Sequence, residues 1–491
     1  MPPPSQPSPA LPGRRRPRAA AALAAAALLV TAGAGAASAH GGHPGPGHPA
    51  RTDLGRQVVT PGADGWASVA TTTAPEGVAR DSAPVTGGAA AAASEVYVVD
   101  TWAELRDALG GRAGADLDDG RGLEVPRIVY VRGTIDAFAG ADGAALDCQD
   151  LAGRVPVAGT GDAFSMDDYV AAYDPAVWGA EEPAGPLEDA RVAAAKVQAA
   201  QTQVHVGSNV TIVGVGADAR IVGANLRIRD SHNVIVRNLT LSDGRDCFPQ
   251  WDPTDGDLGN WNSAYDNLSV WTSTGVWVDH NTFDDGDHPA SSLPQVFGRP
   301  FEIHDGLLDV THGGDLVTVS WNRFESHDKT MIIGSSDSRL QDRGQHRVTI
   351  HHNHFQDIGQ RAPRVRFGDV HVYDNSYAQS TASSFQYFWG AGKESSLVVE
   401  NNALRLARGV DPARAVGTYG GTMLRETGTL VNGRPVDVVG AFNAAADAPL
   451  ADEARWTPSD HYRYRLLPTR AVPAVVDAGA GAGVLRSTSP R

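Results

Sequence analysis

Three arginines, Arg361, Arg364 and Arg366, fall within six positions of "IGQRAPRVRFG" (358–368), in a chain whose formal net charge is −16. Guanidinium groups gathered on one short segment of an acidic protein suit a polyanion, because each can fork onto a carboxylate through two parallel hydrogen bonds. Upstream, "DGLLD" sets Asp305 and Asp309 four residues apart, and Asp266 stands one segment earlier in "YDNL". Three carboxylates with no cysteine among them suit a hard cation such as Ca2+. Lys329, in "HDKT", lies between these acids and the arginines. A cation held by carboxylates beside a row of cationic side chains makes sense when a polyanion spans both. Its acid groups would coordinate the metal and pair with the guanidinium groups. Each signal alone has a bland reading: a solvated acidic pair, or a basic strand edge balanced by neighbouring acids.

What must position these residues is a repeat. The pattern apolar, any, apolar, two residues, Asn, any, large apolar recurs as "VWVDHNTF" (276–283), "VTVSWNRF" (317–324), "VTIHHNHF" (348–355), "VHVYDNSY" (370–377) and "LVVENNAL" (397–404). Its period of two predicts strands, and the asparagine after each predicts a shared turn with Asn in a left-handed conformation. From Asn281 the asparagines follow at intervals of 41, 31, 22 and 27 residues. The shortest interval has room for three short strands and three turns, but not for a helical crossover. The spacing therefore predicts a parallel β-helix of stacked coils, with Asn, Val and Phe in rows. The excess residues become loops on one face, and the longest intervals, between Asn238 and Asn353, should enclose the site. "VIVRNLTL" (234–241) is a shorter relative. The Asn-x-Thr and Asn-x-Ser triplets at Asn238 and Asn267 read as structural, and the histidines of "HHNH" (351–354) as structural or substrate-side rather than a zinc site. Before the repeat, "TWAELRDALG" predicts a short helix opened by a capping box at Thr101 and Glu104.

Composition bounds the rest. Arg14, Arg15, Arg16 and Arg18, the run "AAAALAAAALLV" and "ASA" before His40 form a secretory leader over 1–39. Its apolar run is too short to span a bilayer, and ordinary Sec export is expected over the twin-arginine route. Without those four arginines the chain has 37 basic against 57 acidic residues, a net of −20. That excludes nucleic acid as the expected partner and leaves room for a local basic groove. No membrane association is expected, and a monomer is. Residues 40–92, rich in Ala, Gly, Pro and Thr, read as a disordered linker, and 93–491 as the β-helix domain. Cys148 and Cys247 suit either one disulfide or two separate buried thiols.

The segments "YDNL", "VWVDHNTF", "HDGLLDVTHGGDLVTVSWNRFESHDKT" and "VTIHHNHFQDIGQRAPRVRFGDVHVYDNSY" together resemble the pectate lyases of polysaccharide lyase family 1, with "RIVYVRGTID" and "PQWDPTDGD" extending the likeness from about 96 to 486. The resemblance implies a right-handed parallel β-helix with long loops on one face forming the substrate groove. It implies Asp266, Asp305 and Asp309 as Ca2+ ligands, Lys329 and Arg366 as binders of the substrate carboxylate, and Arg361 as the catalytic base. Asp255 falls where some members recruit an extra Ca2+, "WVDH" (277–280) reads as packing beside the site, and Arg364 takes no role. The implied activity is secreted, Ca2+-dependent β-elimination on de-esterified polygalacturonate, yielding C4–C5 unsaturated oligogalacturonides. The rivals are a β-helical hydrolase using acids and water, a lyase of methyl-esterified pectin, and a non-catalytic pectate-binding protein.

Overall fold

The structure, a computed structural model, describes residues 53–70, 83–110 and 124–486. These all belong to one compact unit, Arg51–Arg491. The expected leader lies outside the described residues.

Parallel strands from successive coils stack into a sheet of 18 strands and a second of eight. The repeat sets the register of the large sheet: Val234, Val276, Val317, Val348, Val370, Leu397 and Leu424 form one continuous row. All seven are fully buried, because alternate residues of each strand face the interior of the coil. After the turn, Phe283, Phe324, Phe355 and Tyr377 stack ring on ring at 5.0, 5.0 and 4.7 Å. Between the two rows runs the asparagine ladder. Each Nδ2 donates to the Oδ1 of the next asparagine, at 3.0–3.1 Å from Asn281 through Asn322, Asn353 and Asn375 to Asn402. The same amides donate to strand carbonyls, such as Asn353 to Val319 at 2.9 Å.

The turn differs from expectation in one respect. The left-handed residue is not the asparagine but the one before it: His280, Trp321, His352, Asp374 and Asn401 all have φ between 51° and 57°. That reversal turns the asparagine inward, where its amide satisfies backbone groups that the bend takes out of the sheets. Asn238 occupies the left-handed position, not the ladder, and Leu239 takes the ladder place by donating its N–H to Asn281 Oδ1 (3.1 Å). Asn238 and Asn267 are buried and hydrogen-bonded to backbone, as their structural reading requires.

The ends are covered. Helix Trp102–Ala108, capped by Thr101 Oγ1 accepting from the Glu104 N–H (3.2 Å), buries Trp102, Leu105 and Ala108 in the core. At the far end Val438 and Val439 of helix Val438–Asn443 do the same. A side lobe contains helices Met166–Ala172 and Pro186–Thr202 and an aromatic cluster including Trp251 and Trp261. Cys148 and Cys247 are joined there by a disulfide.

The expected linker 40–92 needs correction. Residues 40–52 and 71–82 lie outside the described residues, but 53–70 and 83–92 pack on the outer face of the large sheet. Leu54, Trp66, Ala67 and Val85 are buried. Their irregular backbone is held by side chains: the N–H groups of Trp66 and Ala67 donate to Thr349 and Thr318, and those of Thr86 and Gly87 to Asn233 Oδ1. A segment held this way needs no hydrophobic period, so its composition read as unstructured. The C-terminal segment, 453–486, covers the same sheet.

Candidate active site

The small sheet carries the site. Its strands Gln203–Val206, Asn225–Arg229, Leu268–Trp271, Leu308–Thr311, Ile332–Ile333, Arg364–Val365, Trp389–Gly392 and Val416–Tyr419 pair in that order. A groove of about 900 Å³ crosses seven successive coils, from Gln203 to Gln386, and Asp266, Asp305, Asp309, Lys329, Arg361 and Arg366 all line it. Residues from Asp266 to Arg366 thus line one groove because the coils stack.

The three acids converge, with an oxygen of each within 4.8 Å of the others. Asp266 is fixed by hydrogen bonds from Gly306 N–H to Oδ1 (2.9 Å) and from Ser269 Oγ to Oδ2 (2.6 Å). Asn225 Nδ2 donates to the Asp266 carbonyl (2.8 Å) and to Ser269 Oγ (3.1 Å). Asp309 Oδ1 accepts from Ile332 N–H (2.9 Å). The Asp305 backbone is held by His327, whose Nε2 meets its carbonyl at 2.9 Å while Nδ1 pairs with Asp285 at 2.7 Å. Burial favours the neutral imidazole of His327, but Asp285 outweighs it and raises the pKa to about 9, so the ring donates to both.

Gathering acids costs energy. Burial, and then the charge of Asp305, push Asp266 up to about 7. Burial and the charges of Asp266 and Asp305 hold Asp309 well above the usual carboxylate range. Gly306 makes the convergence possible: a Cβ there would sit 2.5 Å from Asp309 Oδ1 and 3.0 Å from Asp266 Oδ1. Carboxylates that repel one another around a cradle, all of them oxygen donors, fit a hard divalent cation.

Next along the groove stand the cations. Lys329 Nζ lies 3.3 Å from Glu302 and 3.6 Å from Asp305. Burial would depress this ammonium, but Asp305 and Glu302 together lift it above its ordinary value. Arg361 has a left-handed backbone (φ 61°), and its buried Nε has no hydrogen-bond partner among the described residues. Its charge acts on both Asp309 and Lys329. Arg366 is tied to Asp337 (2.8 Å) and to the carbonyls of Gly334 and Ser335. Arg364 faces outward with Arg366 but is absent from the groove wall, stacking its guanidinium 3.9 Å over the Tyr419 ring. Asp255 lines the groove rim, within 3.4 Å of Asn260 Nδ2.

One expectation is displaced. "WVDH" lies on the large sheet, where Trp277 bonds Ser320 and Asp279 pairs with Arg237 and His280, and none of its four residues lines the groove. The histidines of "HHNH" are there too: His351 stacks on Tyr373, His352 on Trp321, and His354 pairs with Asp477. Ser269, Asn225, Glu302 and His327 were missed. His327 stands inside "HDKT", but only the stacking of coils shows that it holds Asp305; Ser269 is three residues after Asp266 and bonds it locally.

A parallel β-helix with an acid cluster and a row of cations in one lateral groove defines a polysaccharide lyase of the β-helical class. A profile described as pectate lyase matches residues 184–485. The chain is 41% identical over 413 residues to a pectate lyase of Bacillus subtilis (strain 168), covering 83% of this chain and 89% of that relative. Among solved structures, a thermostable pectate lyase superposes with a TM-score of 0.80 at 42% identity, over 88% of this chain and 100% of the other. A pectate lyase bound to a hexasaccharide superposes at 0.77 with 39% identity, over the same shares. The chain belongs to the pectate lyase family.

Proposed function

We propose that this lyase is secreted and cleaves de-esterified polygalacturonate by Ca2+-dependent β-elimination, releasing C4–C5 unsaturated oligogalacturonides. The observation that carries this reading is the sequence of charges along one groove: Asp266, Asp305 and Asp309 converging, then Lys329, Arg361 and Arg366. The hexasaccharide bound by a structural relative supports a polymer lying in such a groove. Secretion rests on the leader at 1–39.

Asp266, Asp305 and Asp309 would hold Ca2+, which, when bound, neutralises the uronate carboxylate and so acidifies the neighbouring C5–H. Lys329 and Arg366 bind that carboxylate and stabilise the negative charge that develops as the proton leaves. Arg366 must exchange Asp337 for substrate or hold both. Arg361 takes the C5 proton, the electron pair forms the C4–C5 double bond, and the C4–O4 bond breaks, with the departing oxygen gaining a proton. A guanidinium gives up its proton only reluctantly, so alkaline pH favours its use as a base.

The test is the ultraviolet absorbance of the unsaturated uronate, followed on polygalacturonate with and without a chelator. Chelation should abolish it and added Ca2+ restore it. Full activity in excess chelator removes the metal from the mechanism, and new reducing ends without absorbance identify a hydrolase.

A further inference from the structure

Beyond the acids, at the end of the groove opposite Lys329, Arg361 and Arg366, stands another cation. Register places Arg227 in the outward row His205, Arg227, Ser269, Asp309. It is thus two strands before Asp309, about 10 Å at ordinary strand spacing, and it lines the groove. The adjacent outward row is Arg229, Trp271, Thr311. The guanidinium carbons of Arg227 and Arg229 lie over the Trp271 ring at 5.4 and 5.1 Å. His312 stacks on the same ring at 3.7 Å and 11°. Burial, and then Arg339, lower His312 to about 4, so it supports the ring without adding charge near neutrality. Arg227 Nη1 also donates to Gln203 Oε1 (3.1 Å).

We propose that Arg227, positioned by Trp271, binds a second uronate carboxylate of the polymer on the far side of the acid cluster from Arg361. This deepens the lyase reading and rests on it. A polyuronate carries a carboxylate on every sugar. Three carboxylates exceed the charge of one divalent cation, so a chain passing over Asp266, Asp305 and Asp309 still meets net negative charge there, and a cation beyond them compensates the next carboxylate. A guanidinium already resting on an indole has lost much of its rotamer freedom, so binding costs less entropy than for an unsupported side chain. Arg227 therefore governs how long a stretch of polymer the groove grips, while the bond-breaking residues lie elsewhere.

The experiment compares wild type, Arg227→Gln and Arg227→Lys at saturating Ca2+ on polygalacturonate and on saturated oligogalacturonates of increasing length. Arg227→Gln should raise KM for polygalacturonate roughly tenfold, the scale of one charge-assisted hydrogen bond, with kcat little changed. The deficit should vanish on the shortest oligomer still cleaved, the product-length pattern should shift, and Arg227→Lys should recover part of the loss. Calorimetric Ca2+ affinity of Arg227→Gln should be no weaker than wild type. An unchanged length dependence, or an equal kcat loss on all lengths, overturns the subsite and leaves the lyase reading standing. Wild type that forms no unsaturated product overturns the activity, and the subsite with it.

Discussion

Arg361, Arg364 and Arg366 sit within six residues, yet they have three different surroundings: an unpartnered guanidinium nitrogen in the groove, a face stacked on Tyr419, and an ion pair with Asp337. Arg361→Lys should lose roughly hundredfold or more in kcat, the range of a general base, while still retaining polygalacturonate in a binding assay. Arg366→Ala should raise KM and lower kcat, and Arg364→Ala should be milder than either. Equal modest losses through binding alone in all three would make the segment a charged patch, with Lys329 the next base to test. The acids add a pH dependence. Asp266 and Asp309 titrate higher in the folded protein than in the unfolded chain. The folded state therefore keeps protons that the unfolded chain has lost, and metal-free protein is destabilised as pH rises from the ordinary carboxylate value through about 7. On the proposed reading Ca2+ would bind the ionised carboxylates and offset this, so the Ca2+-induced rise in Tm should be larger on the alkaline side of that transition than on the acid side. Thermal melts with and without Ca2+ at both pH values measure it, and equal shifts would show the acids are not the ligands. Asp266, Asp305, Asp309, Lys329, Arg361 and Arg366, all named from sequence, line the groove, whereas Arg364 does not. Their partners were not legible: Asn225, Glu302 and His327 are chosen by contact across coils and carry no local pattern, and Ser269, though only three residues from Asp266, belongs to no recognisable motif.

The asparagine ladder shows both the reach and the limit of spacing as evidence. A shortest interval of 22 residues was enough to exclude helical crossovers and predict stacked coils. It was not enough to place the bend. Asparagine is common in left-handed turns, which points to it as the turning residue, whereas the bend falls on His280, Trp321, His352, Asp374 and Asn401 and the asparagine supplies hydrogen bonds. This difference is testable at Asn353, which donates to Asn375 and Val319 and accepts from Asn322. Asn353→Ala orphans buried groups on both neighbouring coils, each costing about 1–3 kcal/mol. Denaturant titration should show a loss of about 3 kcal/mol or more. Asn353→Gly should be no better, because the position needs the amide and not a flexible backbone. A glycine variant more stable than the alanine variant would restore the reading of this site as the bend.

The two ends of the described chain are fastened to each other across the large sheet. Ala63 pairs with Arg463, and Trp66 stacks among Trp456, His461 and Tyr462. From there the C-terminal segment runs back over earlier coils, bonding Asp374, Trp321, Thr282 and finally Asn238. Open solenoids lose terminal coils first, but here an end coil cannot leave without releasing this clasp. Trp66→Ala should cost about 3–5 kcal/mol, as for large buried aromatics, and lower a single thermal transition without altering kcat per folded molecule. A second, earlier transition confined to one end would show that the clasp is not shared. The division of labour between faces also bears on how such a molecule can change over generations. Self-fastening occupies the large sheet and the polymer groove the small one, so loops bordering the groove can lengthen, shorten or exchange residues without loosening the fastening. Drift in substrate preference and drift in robustness can therefore proceed on separate surfaces of one chain.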